Sequence, residues 1–170
     1  MPLDAVVSNA LNTHMGREFA AHFQYLSMSA WFEDEGLPEL AGFFARQAAE
    51  EHGHAMRFLR FIADTGGPVR IPGQEAPIAE FESAESVVAA ALAQEEQVTR
   101  WIGDLVHLAR EHRETAAEVF LQWFVTEQVE EVASMTELLQ VVHRAGSDGL
   151  LLVEDHMARK SVAAAAGGAG

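Results

Sequence analysis

Residues 40–61 read LAGFFARQAAEEHGHAMRFLRF. Leu40, Gln47, His54 and Phe61 fall seven apart, and Phe44, Glu51 and Phe58 form a second row beside them. That period places both rows on the inner face of an α-helix packed among others. Glu51 and His54 are three residues apart on this face, so a carboxylate and an imidazole can hold one metal ion between them. Polar groups in an apolar seam cost several kcal/mol each unless something neutralises them.

The same interruption recurs along the chain. Leu11, Glu18, Tyr25 and Phe32 form one seam row, and Val88, Glu95 and Ile102 another. Leu121, Gln128, Met135 and Val142 are flanked by Phe124, Glu131 and Leu138. Each acid is bracketed by apolar residues one heptad away, unlike a solvated charged face. Glu18, Glu51, Glu95 and Glu131 supply four negative charges, which two divalent cations would cancel. Carboxylates with one imidazole suit iron(II) or manganese, whereas zinc recruits more histidine or cysteine and calcium and magnesium prefer oxygen alone.

Composition narrows the class. At 170 residues the chain is long enough for one domain with a sizeable core. It has no cysteine, which excludes disulfides, thiolate metal sites and cysteine nucleophiles. The net charge of −15, from 11 basic and 26 acidic residues, argues against nucleic acid as a partner and favours cations. Met1–Ala10 lacks the pattern of a secretory signal and no apolar run matches a membrane span, so a soluble cytoplasmic protein is expected, with no membrane partner.

Helical periodicity dominates throughout. A first helix is expected from Asp4 to Asp34, closed by Gly36 and Pro38, and a second from Glu39 to Asp64, closed by Gly66, Gly67 and Pro68. Ser83 reads as the N-cap of a third helix that ends near Glu111. No glycine or proline marks the next break. A slip in the phase of the apolar stripe, from Ala109 to Ala117, places a turn near His112 to Thr115. A fourth helix then runs to Arg144, before Gly146, and a short fifth spans Asp148 to Lys160. The expected organisation is a domain over 1–160 and a flexible Ala/Gly tail over 161–170.

Loop lengths predict the topology. A turn of only a few residues makes the first two helices antiparallel, while the proline-rich segment 67–82 can extend to about 55 Å, beyond the roughly 42 Å of a 28-residue helix. The fold class is therefore all-α: a four-helix bundle with one long crossover connection and a short fifth C-terminal helix.

Tyr25 admits two readings, a core aromatic with a satisfied hydroxyl or a hydrogen-bonding or redox partner beside the metals. Glu50, Glu127 and Glu130 point about 100° away from the seam, as solvated charge or as a subsidiary metal site. Glu96, His22, His52 and His107 are assigned to surface or packing. Trp31, Trp123, Val119 and Val125 lie outside the inner rows, available for subunit contacts.

On these residues, and on QWFVTEQVEEVA from Gln122 to Ala133, the chain resembles the ferritins, specifically the bacterial non-haem type, over Leu3 to Lys160. The resemblance implies a di-iron centre. One position would be held by Glu18, Glu51 and His54, and a second by bridging Glu51, Glu95 and Glu131, with Gln128 nearby. It further implies a possible third iron position at Glu50, Glu127 and Glu130, and an oxidation-site role for Tyr25. It implies ferroxidase activity, with Fe(II) oxidised by dioxygen or hydrogen peroxide and stored as an oxide mineral. The container would be a homo-oligomeric cage of twenty-four subunits whose four-fold pores are lined by the fifth helix. Two departures stand out. Bacterioferritins repeat Glu-x-x-His on the fourth helix, where this chain has Gln128 and Glu131, and they ligate haem through a methionine where His52 stands, so haem is not expected. A di-iron or manganese–iron oxidase acting on an organic substrate would use the same ligands.

Overall fold

The structure is a computed structural model that describes the backbone of residues 3–167 and the side chains of residues 3–160. Its helices are α1 (Ala5–Asp34), α2 (Pro38–Asp64), α3 (Ala84–Glu111), α4 (Thr115–Ala145) and α5 (Leu150–Gly167), with a 3₁₀ turn at Ser147–Gly149. No strand occurs among the described residues.

Helix boundaries follow from local chemistry. Asp4 caps α1 by accepting from the backbone N–H groups of Val6 and Val7, and Ser83 caps α3 in a reciprocal capping box with Ser86. Pro38, which the sequence suggests as a breaker, is instead the first residue of α2, where a missing N–H costs nothing. The C-termini of α1, α2 and α3 close in one way. Leu37, Gly67 and Glu114 donate their N–H groups to Phe32, Ile62 and Ala109 (2.9, 2.9 and 2.8 Å) around a residue with positive φ. That residue is Gly36 (73°) and Gly66 (74°) in the first two and Arg113 (56°) in the third. The turn expected near His112 is therefore present, built on a residue that ordinarily avoids this conformation.

Pairings between helices fix their directions. His14 meets Phe58, His22 meets Ala48 and Ser29 meets Ala41, so α1 and α2 are antiparallel. Glu85 meets His143 and Arg110 meets Glu118, so α3 and α4 are antiparallel too. Tyr25 with Glu95 and Arg17 with Trp101 set α1 against α3, which leaves α2 and α3 parallel. The segment between them runs the length of α1. The Asn12 side chain holds Pro68 and Arg70, and those of Gln24 and Ser27 hold Ile78. At Gly16 a Cβ would lie 2.3 Å from Pro72 Cγ, so the crossover passes where only glycine leaves room.

α5 docks on α2 through a contact that no local pattern announces. α2 lacks a side-chain cap of its own. Glu154 of α5 supplies one, with Oε2 accepting from Glu39 N at 2.7 Å and Oε1 from Leu40 N at 2.9 Å. α5 continues past the expected end at Lys160 as far as Gly167, through a run of alanines with the highest helix propensity. The expected flexible tail falls in part, at residues 168–170, outside the described residues.

The apolar core lies in two parts. The upper core gathers Tyr25, Phe32, Phe44, Val88, Met135 and Val142; the lower core gathers Leu11, Met15, Phe58, Ile62, Ile102 and Leu121. A polar layer lies between them.

Candidate metal centre

Every helix of the bundle contributes to that layer. Glu18 of α1, Gln47, Glu51 and His54 of α2, Glu95 of α3, and Gln128 and Glu131 of α4 are all buried, none more than 5% exposed. The seam rows read from the sequence therefore face inward as expected, with Phe61 alone only half-buried.

Glu18, Glu51 and His54 converge: one potential ligand atom from each lies within 4.8 Å of the others. His54 Nδ1 is 3.2 Å from Glu51 Oε2 and 3.8 Å from Glu18 Oε2. Burial alone would depress the imidazolium, but the hydrogen bond to Glu51 and the charges of Glu51, Glu18 and Glu131 outweigh it and raise His54 to about 9. The proton on His54 thus serves as the positive charge of this end of the layer. The imidazole is wedged between the edges of Trp123 and Phe124, at 5.5 and 5.7 Å between ring centroids.

At the other end Glu95 is held by neutral donors. The Tyr25 hydroxyl donates to Oε1, and Gln128 Nε2 donates to Oε2 at 3.1 Å and to the Glu95 carbonyl at 3.2 Å. Glu131 accepts from Gln47 Nε2 at 3.0 Å, and the same amide donates to Glu50 at 2.9 Å. Gln47, only a seam member in the sequence reading, therefore links the inner carboxylates to Glu50.

Desolvation raises the carboxyls of Glu18, Glu51, Glu95 and Glu131, the last three to about 8, 7 and 8, and mutual repulsion pushes Glu51, Glu95 and Glu131 further. Burial and the Glu95 charge hold the Tyr25 phenol well above its ordinary range, so it remains a donor. Acids packed this closely repel one another unless they carry protons or share a cation.

Glu50 is exposed at the rim of the layer, though desolvation and the neighbouring Glu127 raise its carboxyl, and Glu130 is exposed on α4. His52, Glu96 and His107 are exposed, and His22 is a packing residue whose Nδ1–H donates to the Ala48 carbonyl at 2.7 Å. Trp31 and Trp123 pack within the chain, while Val119 is 68% exposed.

The sequence reading missed His14. It is fully buried one turn before Glu18, with Nε2 2.7 Å from Glu18 Oε1. The two are not aligned as a hydrogen bond, so both His14 nitrogens and both Glu18 oxygens lack a hydrogen-bond partner. A second heptad row on α1, Val7, His14, Ala21 and Met28, is buried throughout and would have revealed it.

An orphaned buried carboxylate beside a second acid and an imidazole is the donor set that a divalent cation satisfies. The sequence model of the ferritin-like domain matches residues 8–145. The chain belongs to the ferritin family. Among relatives of this ferritin, ferritin BfrB of Mycolicibacterium smegmatis is 39% identical, over 96% of this chain and 90% of its own length. The bacterial non-heme ferritin of Staphylococcus aureus is 34% identical, over 82% of this chain and 84% of its own. Among solved structures, an open-pore ferritin from Archaeoglobus fulgidus superposes with a TM-score of 0.88 at 31% identity, covering 91% of this chain and 95% of that one.

Proposed function

We propose that this ferritin stores iron and oxidises it on the way in. Fe(II) is the substrate, bound as a pair in the polar layer and oxidised by dioxygen or hydrogen peroxide. The observation that carries the reading is the layer itself, four buried acids and one imidazole between two apolar cores, with Glu18 lacking any hydrogen-bond partner. Glu18, Glu51 and His54 would hold one ion, and Glu51, Glu95 and Glu131 the other, with Glu51 between them. Glu50, Glu127 and Glu130 form the proposed third position.

The protein's own contribution is charge balance and proton handling. Binding cations displaces the protons that the raised carboxyls and His54 hold, because the ligating forms are deprotonated. Four carboxylates match the charge of two ferrous ions but leave two ferric ones with two positive charges to spare, which oxide or hydroxide from water would neutralise. Gln128, neutral at an inner position, keeps the count at four, so the ferric product is held by fewer carboxylates than a fifth acid there would supply. Two adjacent ferrous ions can give one electron each to dioxygen, reducing it to peroxide without free superoxide.

Storage requires a container, and family membership supports a homo-oligomeric cage of twenty-four subunits in the cytoplasm, with Leu151 and Leu152 of α5, both about 75% exposed, available for contacts at its pores. The test is aerobic loading with ferrous salt followed by measurement of iron per chain and particle size. A large particle holding far more than two irons per chain is expected. Two per chain without further uptake would indicate an oxidase acting on an organic substrate, and a monomer or dimer would remove the cage. Glu51→Ala and His54→Ala should abolish rapid oxidation.

A further inference from the structure

We infer that His14 is the positioning residue of the first metal position: its Nε2–H holds Oε1 of Glu18 so that the carboxylate presents only Oε2 to the cation. The proposal rests on the dinuclear reading above and adds a group outside the proposed ligand sets.

The two oxygens of Glu18 face different neighbours. Oε2 lies toward His54 Nδ1, at 3.8 Å, on the side where Glu51 converges. Oε1 lies 2.7 Å from His14 Nε2, on the side of the lower core, where the His14 ring packs against Phe58 at 4.9 Å between centroids. A nitrogen and an oxygen at 2.7 Å in a dry site repel unless a proton lies between them. His14 does not belong to the group of atoms close enough to share one ion, so it acts through Glu18. An imidazole ring, neutral or charged, has an N–H to give. The terminal torsion of a glutamate is soft, so a modest turn of the carboxylate onto the ring aligns the bond without moving the helix. Glu95 is held through its own oxygens by Tyr25 and Gln128, so each end of the layer then has an oriented carboxylate. Outer-shell donors of this kind fix the geometry of metal ligands. A carboxylate held to one oxygen leaves a coordination position open on the cation.

The test uses the assembled, metal-free protein and Co(II) alone, measured by calorimetric titration and visible absorption under anaerobic conditions. His14→Leu removes the donor while keeping a buried apolar side chain; His14→Gln keeps an N–H of similar reach. His14→Leu should bind Co(II) at the tightest site about ten-fold or more weakly, with a changed absorption spectrum, and His14→Gln should recover most of both. Equal affinity and spectrum in His14→Leu and the parent overturns the role. A crystal of the parent with Co(II) tests it without any variant. Glu18 bound through Oε2 with Oε1 on His14 supports it, and chelation through both oxygens overturns it. If the parent binds no Co(II) in this layer, the dinuclear reading itself fails.

Discussion

The hydroxyl of Tyr25 on α1 donates to Oε1 of Glu95 on α3, across the bundle and at the boundary between the polar layer and the upper core. Both groups are fully buried, so the bond has no competing water. Tyr25→Phe deletes the donor and leaves a carboxylate oxygen unsatisfied, a loss of about 1–3 kcal/mol. The proposed metal ligands themselves stay in place. Thermal unfolding of the metal-free variant should therefore occur at lower temperature, and stopped-flow oxidation of Fe(II) should slow several-fold while the number of tightly bound ferrous ions is retained. Unchanged oxidation kinetics would return Tyr25 to the status of a core aromatic.

Glu51 sits between His54 and Glu18, and burial raises its carboxyl to about 8. It is there at the expense of stability, because a buried acid among other acids is replaced with little loss by a neutral isostere. Glu51→Gln should abolish rapid iron oxidation, yet match or exceed the parent's melting temperature in chelator. A variant that both loses activity and melts well below the parent would mean that Glu51 serves the fold rather than a cation.

Stability without metal should fall as pH rises from about 6.5 to 8. Glu51, Glu95 and Glu131 keep their protons in the folded chain to about 8, 7 and 8 but lose them near 4.5 when unfolded. His54 keeps its proton to about 9 rather than 6.5. In this window the folded state binds more protons than the unfolded one, so each such proton removes about 1.4 kcal/mol of stability per pH unit. His14 has the opposite sign, since the folded chain releases its proton near 3, but most of its contribution is made below 6.5 and it levels off just above. Differential scanning calorimetry of the chelated protein should show the decline, and saturating Co(II) should reverse it. A flat profile in chelator would mean that the acids are not raised by burial.

Much of this was legible in the sequence because heptad spacing is a direct record of which side chains face inward. Leu11, Glu18, Tyr25 and Phe32 name a buried row by arithmetic, and all four are buried. The crossover was legible from its prolines. His14 was not found because only one of the two inner rows of α1 was traced. Glu154 was illegible for a different reason: it completes a helix more than a hundred residues away, and nothing near either partner records the pairing. Arg113 hid the break between α3 and α4 because it occupies the position that Gly36 and Gly66 mark in the earlier turns.

That substitution is testable. Arg113 adopts a φ of 56° in a turn otherwise identical to those at Gly36 and Gly66. A non-glycine residue there carries a strain of about 1 kcal/mol, against which glycine's greater freedom in the unfolded chain must be set. Arg113→Gly should be neutral to mildly stabilising, up to about 1 kcal/mol in chemical denaturation, with iron oxidation unchanged because the turn lies far along the chain from the polar layer. A clear loss of stability would show that the Arg113 side chain makes an interaction worth more than its backbone strain.

Glu154 joins α5 to the bundle at the N-terminus of α2, where its carboxylate meets two N–H groups that have no other side-chain cap. The positive end of the α2 dipole adds to the attraction of the two hydrogen bonds. Val153 and Met157 bury the adjoining face of α5 in the upper core, so the helix is held by one charged and one apolar contact. Glu154→Gln can satisfy one N–H but not both, and Glu154→Ala neither. Stability should fall in that order, by about 0.5–2 kcal/mol for the alanine variant. Because α5 is the element that the proposed cage uses at its pores, the alanine variant should also release mineral iron faster to a reductant, while Fe(II) oxidation at the distant layer proceeds at the parent rate. Hydrogen exchange along α5 would report the loosening directly; protection equal to the parent's would show that the apolar face alone holds the helix.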